Sequence, residues 1–276
     1  MPDRLPRNFH KTFIPERHFL NALLRYAASG AAGTYQQIAA ETGIPMGESS
    51  GKVPAIIDYA RGMGLISLSG PASAVKRPEL TPFGRTVLLE DPYLKEAVTQ
   101  WLAHFHLCGP LRGADVWYQV FVAGGTALGM EFPRSALEER LALVYTGARG
   151  NLVGPLVRMY EDDAAFATAG VLRETAGLVL RKSAPVADEF APGYGAWLLQ
   201  VMVDHFPNRP EVTVTELDTV GGWCAVPGWE SRDAQKVLLL TERKGLITVD
   251  RHMEPWIVRR AASCDEGWRH VFDDLI

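Results

Sequence analysis

The stretch RGMGLISL at 61–68 returns as ERKGLITV at 242–249, and the correspondence runs upstream without a gap. Ser50, Val53, Ile56, Ile57 and Ala60 fall opposite Ser231, Ala234, Val237, Leu238 and Thr241, while Gly47 meets Gly228 and Thr34 meets Thr215. A repeat constrains a fold strongly, because both copies must satisfy one backbone geometry. Two copies are too few for a solenoid. The chain reads as one module used at both ends.

Helical periodicity and glycine punctuation give the module its form. In the first copy, Phe19, Leu20, Leu23, Leu24 and Ala27 share one helical face before Gly30 and Gly33 break the pattern. Thr34 with Gln37 has the spacing of a capping box for a second helix ending at Gly43. Ser49 or Ser50 is placed to cap a third, whose buried stripe is Val53, Ile56, Ile57 and Ala60, and Gly64 ends it in a left-handed conformation. LISL then reads as a strand, and residues 69–80 as a Gly/Pro/Ser-rich loop leading into LTPFG. The second copy repeats the order: a helix through Trp197, Leu198, Val201, Met202 and His205; a second capped by Thr213 with Glu216 or Thr215 with Asp218; a third capped by Ser231 and ended by Gly245; then strand, turn and strand across LITVDRHMEPWIVRR. Three short helices and a β flap predict a winged helix-turn-helix.

Between the copies the pattern is mostly helical, with a hairpin predicted around Thr175 to Gly177 and a linker in APVADEFAPGYG. The expected fold class is therefore mainly α with small β wings. Its three regions are an N-terminal arm and winged helix over 1–90, a helical middle domain over 91–190 and a C-terminal winged helix over 191–276. The 47% hydrophobic content supports a packed core, and three widely spaced cysteines give no disulfide framework. No segment is apolar and long enough to span a bilayer, and MPDRLPRNFHKTF lacks the apolar centre of a signal peptide, so a cytoplasmic location is expected. The net charge of −4 excludes binding of nucleic acid through a strong global field. Any such surface must be a local patch.

Several residue clusters carry possible chemistry. On the third helices, Ser49, Ser50, Lys52 and Arg61 of the first copy and Arg232, Lys236, Arg243 and Lys244 of the second lie opposite the buried stripes, where they can meet a DNA groove. Residues 34–61 hold two basic and three acidic side chains, against seven and five in 230–260, which favours the second copy. In the arm, His10, Glu16, Arg17 and His18 are candidates for phosphate contact or acid–base work, beside the plainer reading of an arm stapled down by Phe9 and Phe13. His104 and Cys108 have a zinc-compatible spacing but lack further ligands, and a core role beside Trp101, Leu102 and Phe105 competes with it. Glu161, Asp162 and Asp163 form an acidic run able to bind a divalent metal or simply to end a helix.

The stretches HKTF at 10–13, SGKVPAIIDYARGMGLI, and LTPFGRTVLLEDPYLKEAVTQWLAHFHL resemble the SspB-like family of DNA nicking proteins, associated with bacterial single-strand DNA phosphorothioation defence. The similarity lies in the family's His-Glu-Thr-Phe, Leu-Thr-Pro-x-Gly, Asp-Pro-Tyr-Leu and Trp-Leu-x-His elements and covers about the first two fifths of the chain well. It implies a nicking endonuclease on double-stranded DNA that uses a divalent metal (Mg or Mn) and no organic cofactor. It also implies partners: a cysteine desulfurase, an ATPase and a sulfotransfer enzyme. A homodimer is among the arrangements the sequence allows. His10 and His104 fall on matching motif positions, whereas Lys11 replaces the family's Glu. The competing expectation is a non-catalytic adaptor whose modules bind DNA or protein.

Overall fold

Hydrophobic stripes and left-handed glycines place the elements of both repeats. The computed structural model describes residues 3–46, 51–70, 74–146 and 150–275. The protein is mainly helical with small antiparallel sheets. It divides into two compact units, Met1–Lys182 and Ser183–Ile276, and residues 91–182 share a unit with the first repeat.

In the first unit, α1 (Arg17–Ala28) buries Leu20, Leu23, Leu24 and Ala27. Helix α2 (Tyr35–Thr42) starts at the Thr34–Gln37 capping box, with both reciprocal hydrogen bonds formed. Helix α3 (Lys52–Gly62) begins after Gly51; Ser49 and Ser50, expected as caps, lie outside the described residues. Pro54 is tolerated in its first turn, where the missing N–H has no helical partner to lose. Gly64 has φ +71°, the left-handed value a side chain would disfavour. The chain then turns into β1 (Ile66–Leu68), which pairs antiparallel with β2 (Pro78–Leu80). The expected loop thus ends in a strand. A further two-way bridge joins Gly33 and Lys76, with N–H to O distances of 3.0 and 2.8 Å.

The Leu-Thr-Pro-x-Gly element opens α4 (Pro82–Glu90), capped by the Thr81 hydroxyl. The carboxylate of Asp91 accepts the N–H groups of Lys95 and Glu96 at 2.8 and 2.9 Å, which leads the Asp-Pro turn into α5 (Ala97–Leu107). Short helices α6 (Asp115–Trp117) and α7 (Gly125–Leu128) flank a π-helical turn at Tyr118–Val122. Strand β3 (Glu131–Pro133) precedes α8 (Arg134–Val144) and α9 (Gly150–Glu161). The expected hairpin is β4 (Leu172–Thr175) and β5 (Leu178–Arg181), turned by Ala176 and Gly177 at positive φ. Strand β3 adds to it in the order β3-β5-β4, a long-range pairing that local pattern does not reveal.

The second unit starts earlier than a linker through Gly195 would allow. Helix α10 (Ala191–His205) accommodates Pro192 in its first turn, so AlaProGlyTyrGly is helical. Strand β6 (Glu211–Thr213) leads into α11 (Val214–Thr219), capped by Thr213 with Glu216 in a complete capping box. Thr213, not Thr215, is therefore the functional counterpart of Thr34. Helix α12 (Ser231–Arg243) has Glu230 at its cap position; Ser231 is already its first residue and does not cap it. Gly245 has φ +72°, matching Gly64. Strands β7 (Ile247–Asp250) and β8 (Ile257–Arg260) form the expected hairpin, and β6 joins it in the order β6-β8-β7. Helix α13 (Cys264–Arg269) closes the chain and packs on α10. Its capping box, Ser263 with Glu266, follows the same sequence rule as the others. The core of this unit contains Trp197 and Trp223, stacked with centroids 5.3 Å apart and planes 18° from parallel, and Trp229 edge-on to Trp223.

Candidate nucleic-acid interface

Helix α12 buries Ala234, Val237, Leu238, Leu240 and Thr241, the stripe expected from its periodicity. With 3.6 residues per turn, Arg232, Lys236 and Arg243 fall within an arc of about 40° on the opposite side. All three are exposed, and none forms an ion pair or side-chain hydrogen bond among the described residues. Lys244, the fourth expected cation, is instead paired with Asp274 at 2.5 Å. Gln235 and Leu239 are exposed along the edge of the same arc. They were not among the expected site residues, although the same helical spacing identifies them.

The β7–β8 turn projects from the same unit. His252 and Met253 at its tip are exposed, Met253 by 80%. Its base is fixed by charge. Glu242 accepts from Arg251 at 2.7 Å and from the Val249 N–H at 2.6 Å. Burial tends to raise the Glu242 carboxyl, but these two donors outweigh it and hold its pKa below the ordinary value. Arg259 bonds Glu211 at 2.5 Å and lies 3.7 Å from Asp250.

The first repeat presents a different third helix. Positions equivalent to Arg232, Lys236 and Arg243 are Gly51, Ala55 and Gly62, all buried. A Cβ on Gly62 would approach the Cδ1 atoms of Leu107 and Leu5 to 2.8 Å, so any larger residue there makes these side chains shift. Tyr59 is buried against Phe9 and Trp117, with centroids 4.8 and 5.9 Å away. The cations expected to contact DNA are neutralised within the unit. Lys52 bonds Glu16 at 2.8 Å and sits 4.7 Å from the Phe19 ring centre, and Arg61 bonds Asp58 at 3.0 Å. Burial raises the Asp58 carboxyl even with Arg61 beside it.

The arm candidates are dispersed. Arg17 donates to the carbonyls of Tyr93 and Asp163, at 3.3 and 2.6 Å. His18 is exposed and packs on Phe19. His10 is 1% exposed, beside Phe9 and Trp117. Its Nδ1 accepts the Thr12 N–H at 3.0 Å, its Nε2 has no partner among the described residues, and burial lowers its pKa to about 4. His104 is equally buried. Its Nδ1 shares a 2.7 Å hydrogen bond with the Tyr160 hydroxyl, which accepts the Trp117 indole N–H at 3.0 Å. Burial first, and Arg181 second, lower the His104 pKa to about 3. Cys108 lies 3.6 Å from the same ring, with its thiol pushed up by burial. Both histidines are thus neutral members of a polar seam in an aromatic core.

The acidic run also serves structure. Glu161 accepts the Glu174 N–H at 2.5 Å and Asp162 the Ala164 N–H at 2.9 Å. Among the described residues, no three His, Cys, Asp or Glu side chains converge to hold a metal ion. Among them, too, no helix is long and apolar enough to cross a membrane.

No protein-family model and no curated protein matches the sequence. Two solved structures do match the fold, an SspB crystal structure and a magnesium-ion-bound SspB crystal structure. Each superposes with a TM-score of 0.67 at 16% identity, covering 97% of this chain and 87% of the other. The likeness extends through both repeats and the stretch between them, well beyond the first two fifths that carry the sequence resemblance: this chain has the fold of SspB.

Proposed function

We propose that this protein binds duplex DNA through α12 and the adjacent β7–β8 turn, as a component of a DNA phosphorothioate modification or defence system. The element order of the second unit supports a winged helix-turn-helix reading: helix, strand, helix, helix, then two strands, with β8 central in the sheet. In the first repeat, the Gly33–Lys76 bridge takes the place of β6. The observation that carries the DNA reading is the arc of Arg232, Lys236 and Arg243. In a chain with net charge −4, three exposed cations without partners among the described residues form a local positive stripe on the helix that such a module presents to a groove. The buried face of α3 gives the first repeat no equivalent, so contact is assigned to the second unit.

Duplex binding by fluorescence anisotropy over a salt series tests this. Three phosphate contacts contribute about −2.7 to the slope of log affinity against log salt. Replacing Arg232, Lys236 and Arg243 together with alanine should flatten the slope by about that amount and weaken binding at least a hundredfold at low salt. Unchanged affinity and slope would remove the proposal.

A second reading, nicking of the bound duplex, is favoured by the fold shared with magnesium-bound SspB. The described side chains give that chemistry no donor set: His10 and His104 are sealed and neutral, and Glu16 is engaged by Lys52. No hydrolytic step is therefore assigned to them. Incubation of supercoiled plasmid with the purified protein and magnesium or manganese separates the readings. Relaxation to the nicked circle supports nicking; intact supercoils with DNA bound leave the adaptor role. In either role the protein partners are the system's cysteine desulfurase, ATPase and sulfotransfer enzyme.

A further inference from the structure

The cations of α12 account for attraction to any duplex, but two uncharged side chains beside them carry different chemistry. Gln235 and Leu239 are exposed, four residues apart, on the same flank of the arc. Gln235 makes no hydrogen bond among the described residues. Leu239 is 41% exposed, whereas Val237, Leu238 and Leu240 around it are buried. Its exposed side chain contributes little to the core. The counterparts in the first repeat are Pro54 and Asp58, so the pair belongs to the second copy alone.

A glutamine amide offers an acceptor and a donor together, the complement of adenine N6–H and N7. A leucine side chain offers an apolar surface for the thymine 5-methyl group. In the major groove these two base features occur together at A·T pairs. Four residues of helix rise about 6 Å, close to two base-pair steps, while the flanking cations suit phosphates. Resting on the reading of α12 as a DNA-binding helix, we propose that Gln235 and Leu239 read A·T pairs in the major groove, Gln235 at adenine and Leu239 at the thymine methyl.

The test uses the full chain and a randomised duplex pool. The bound fraction should be enriched in A·T pairs at one or two fixed positions. The best-bound duplex is then remade with deoxyuridine for thymidine, which removes only the methyl groups, or with 7-deazaadenine for adenine. The first should weaken binding about fourfold per contacted methyl, and the second roughly tenfold. Leu239→Ala should abolish the uridine effect while keeping the deazaadenine effect, and Gln235→Ala the reverse. Arg232→Ala should weaken all duplexes alike and preserve both ratios. Both test substitutions are at exposed positions, and circular dichroism checks their folding. Binding that is indifferent to uridine and deazaadenine overturns this inference while leaving DNA binding in place. Absence of binding to every duplex overturns both.

Discussion

Helices α3 and α12 descend from the same sequence phrase and occupy the same place in their repeats, yet they expose opposite chemistries. Both bury the stripe set by helical periodicity. They differ on the other face, where α12 carries Arg232, Lys236 and Arg243 and α3 carries Gly51, Ala55 and Gly62. In the first repeat that face has become core: Gly62 lies against Leu107 of α5 and Leu5, Gly51 against Met46, and the α3 residue Tyr59 packs on Phe9 and Trp117. The difference shows how a repeated module divides labour. One copy's outward face is used for packing, and its remaining cations pair with Glu16 and Asp58. The other retains free charge.

Exchanging residues between the copies should break the comparison most sharply. Ala55→Lys installs the residue of position 236 at a fully buried site. An overpacked, unpaired ammonium there should cost roughly 3–5 kcal/mol. The reverse change, Lys236→Ala, should alter stability by less than about 0.5 kcal/mol. Urea unfolding of the two variants measures this, and similar losses in both would mean that α3 is not covered as described.

Acid should also separate the units. The unfolded chain takes up protons on His10 and His104 near pH 6.5, whereas the folded protein resists until about pH 4 and about pH 3. Their stabilising contribution is full above about pH 6.5 and is lost as the pH falls through that window. The loss should reach on the order of 3 kcal/mol from each histidine by pH 4. The second unit's His205 is only partly buried. Native-state hydrogen exchange, corrected for intrinsic rates, should therefore show α5 opening on acidification before α12. Equal protection of α5 at pH 7 and pH 4 would contradict it.

Smaller effects sharpen the contrast. Lys52→Met strips Glu16 of its partner and should cost about 1–2 kcal/mol without changing DNA affinity. Arg232→Ala should leave the melting temperature in place and weaken duplex binding severalfold. The capping boxes set the limit of the comparison, because there the copies agree: Thr34→Ala and Thr213→Ala should each cost about 1 kcal/mol, equal within a few tenths.

Much of this was legible in the sequence. Left-handed Gly64 and Gly245, the Thr34 box and the stripes of α3 and α12 follow from local rules that act within a few residues. What escaped was long-range. Nothing near residues 131–133 announces that β3 pairs with β5, and the cover over α3 comes from α5 and the arm. The signal for that cover was present in small residues: Gly51, Ala55 and Gly62 recur where the other copy has long cations, and a close approach needs such positions. Hydropathy treats Ala and Gly as neutral and passes over them. At the arm, His and Glu looked reactive from residue type alone. The burial of His10 and the pairing of Glu16 are decided by Trp117 and Lys52, which lie far away in sequence.

The stacked indoles of Trp197 and Trp223 have one practical consequence. Rings 5.3 Å apart and nearly parallel share their excited states, so the second unit carries its own exciton signal in ultraviolet circular dichroism. In the first unit Trp101 lies against the His104 ring and Trp117 against that of His10. Melting followed through that couplet should report the packing of Trp197 on Trp223, giving the second unit a label-free optical readout of its own.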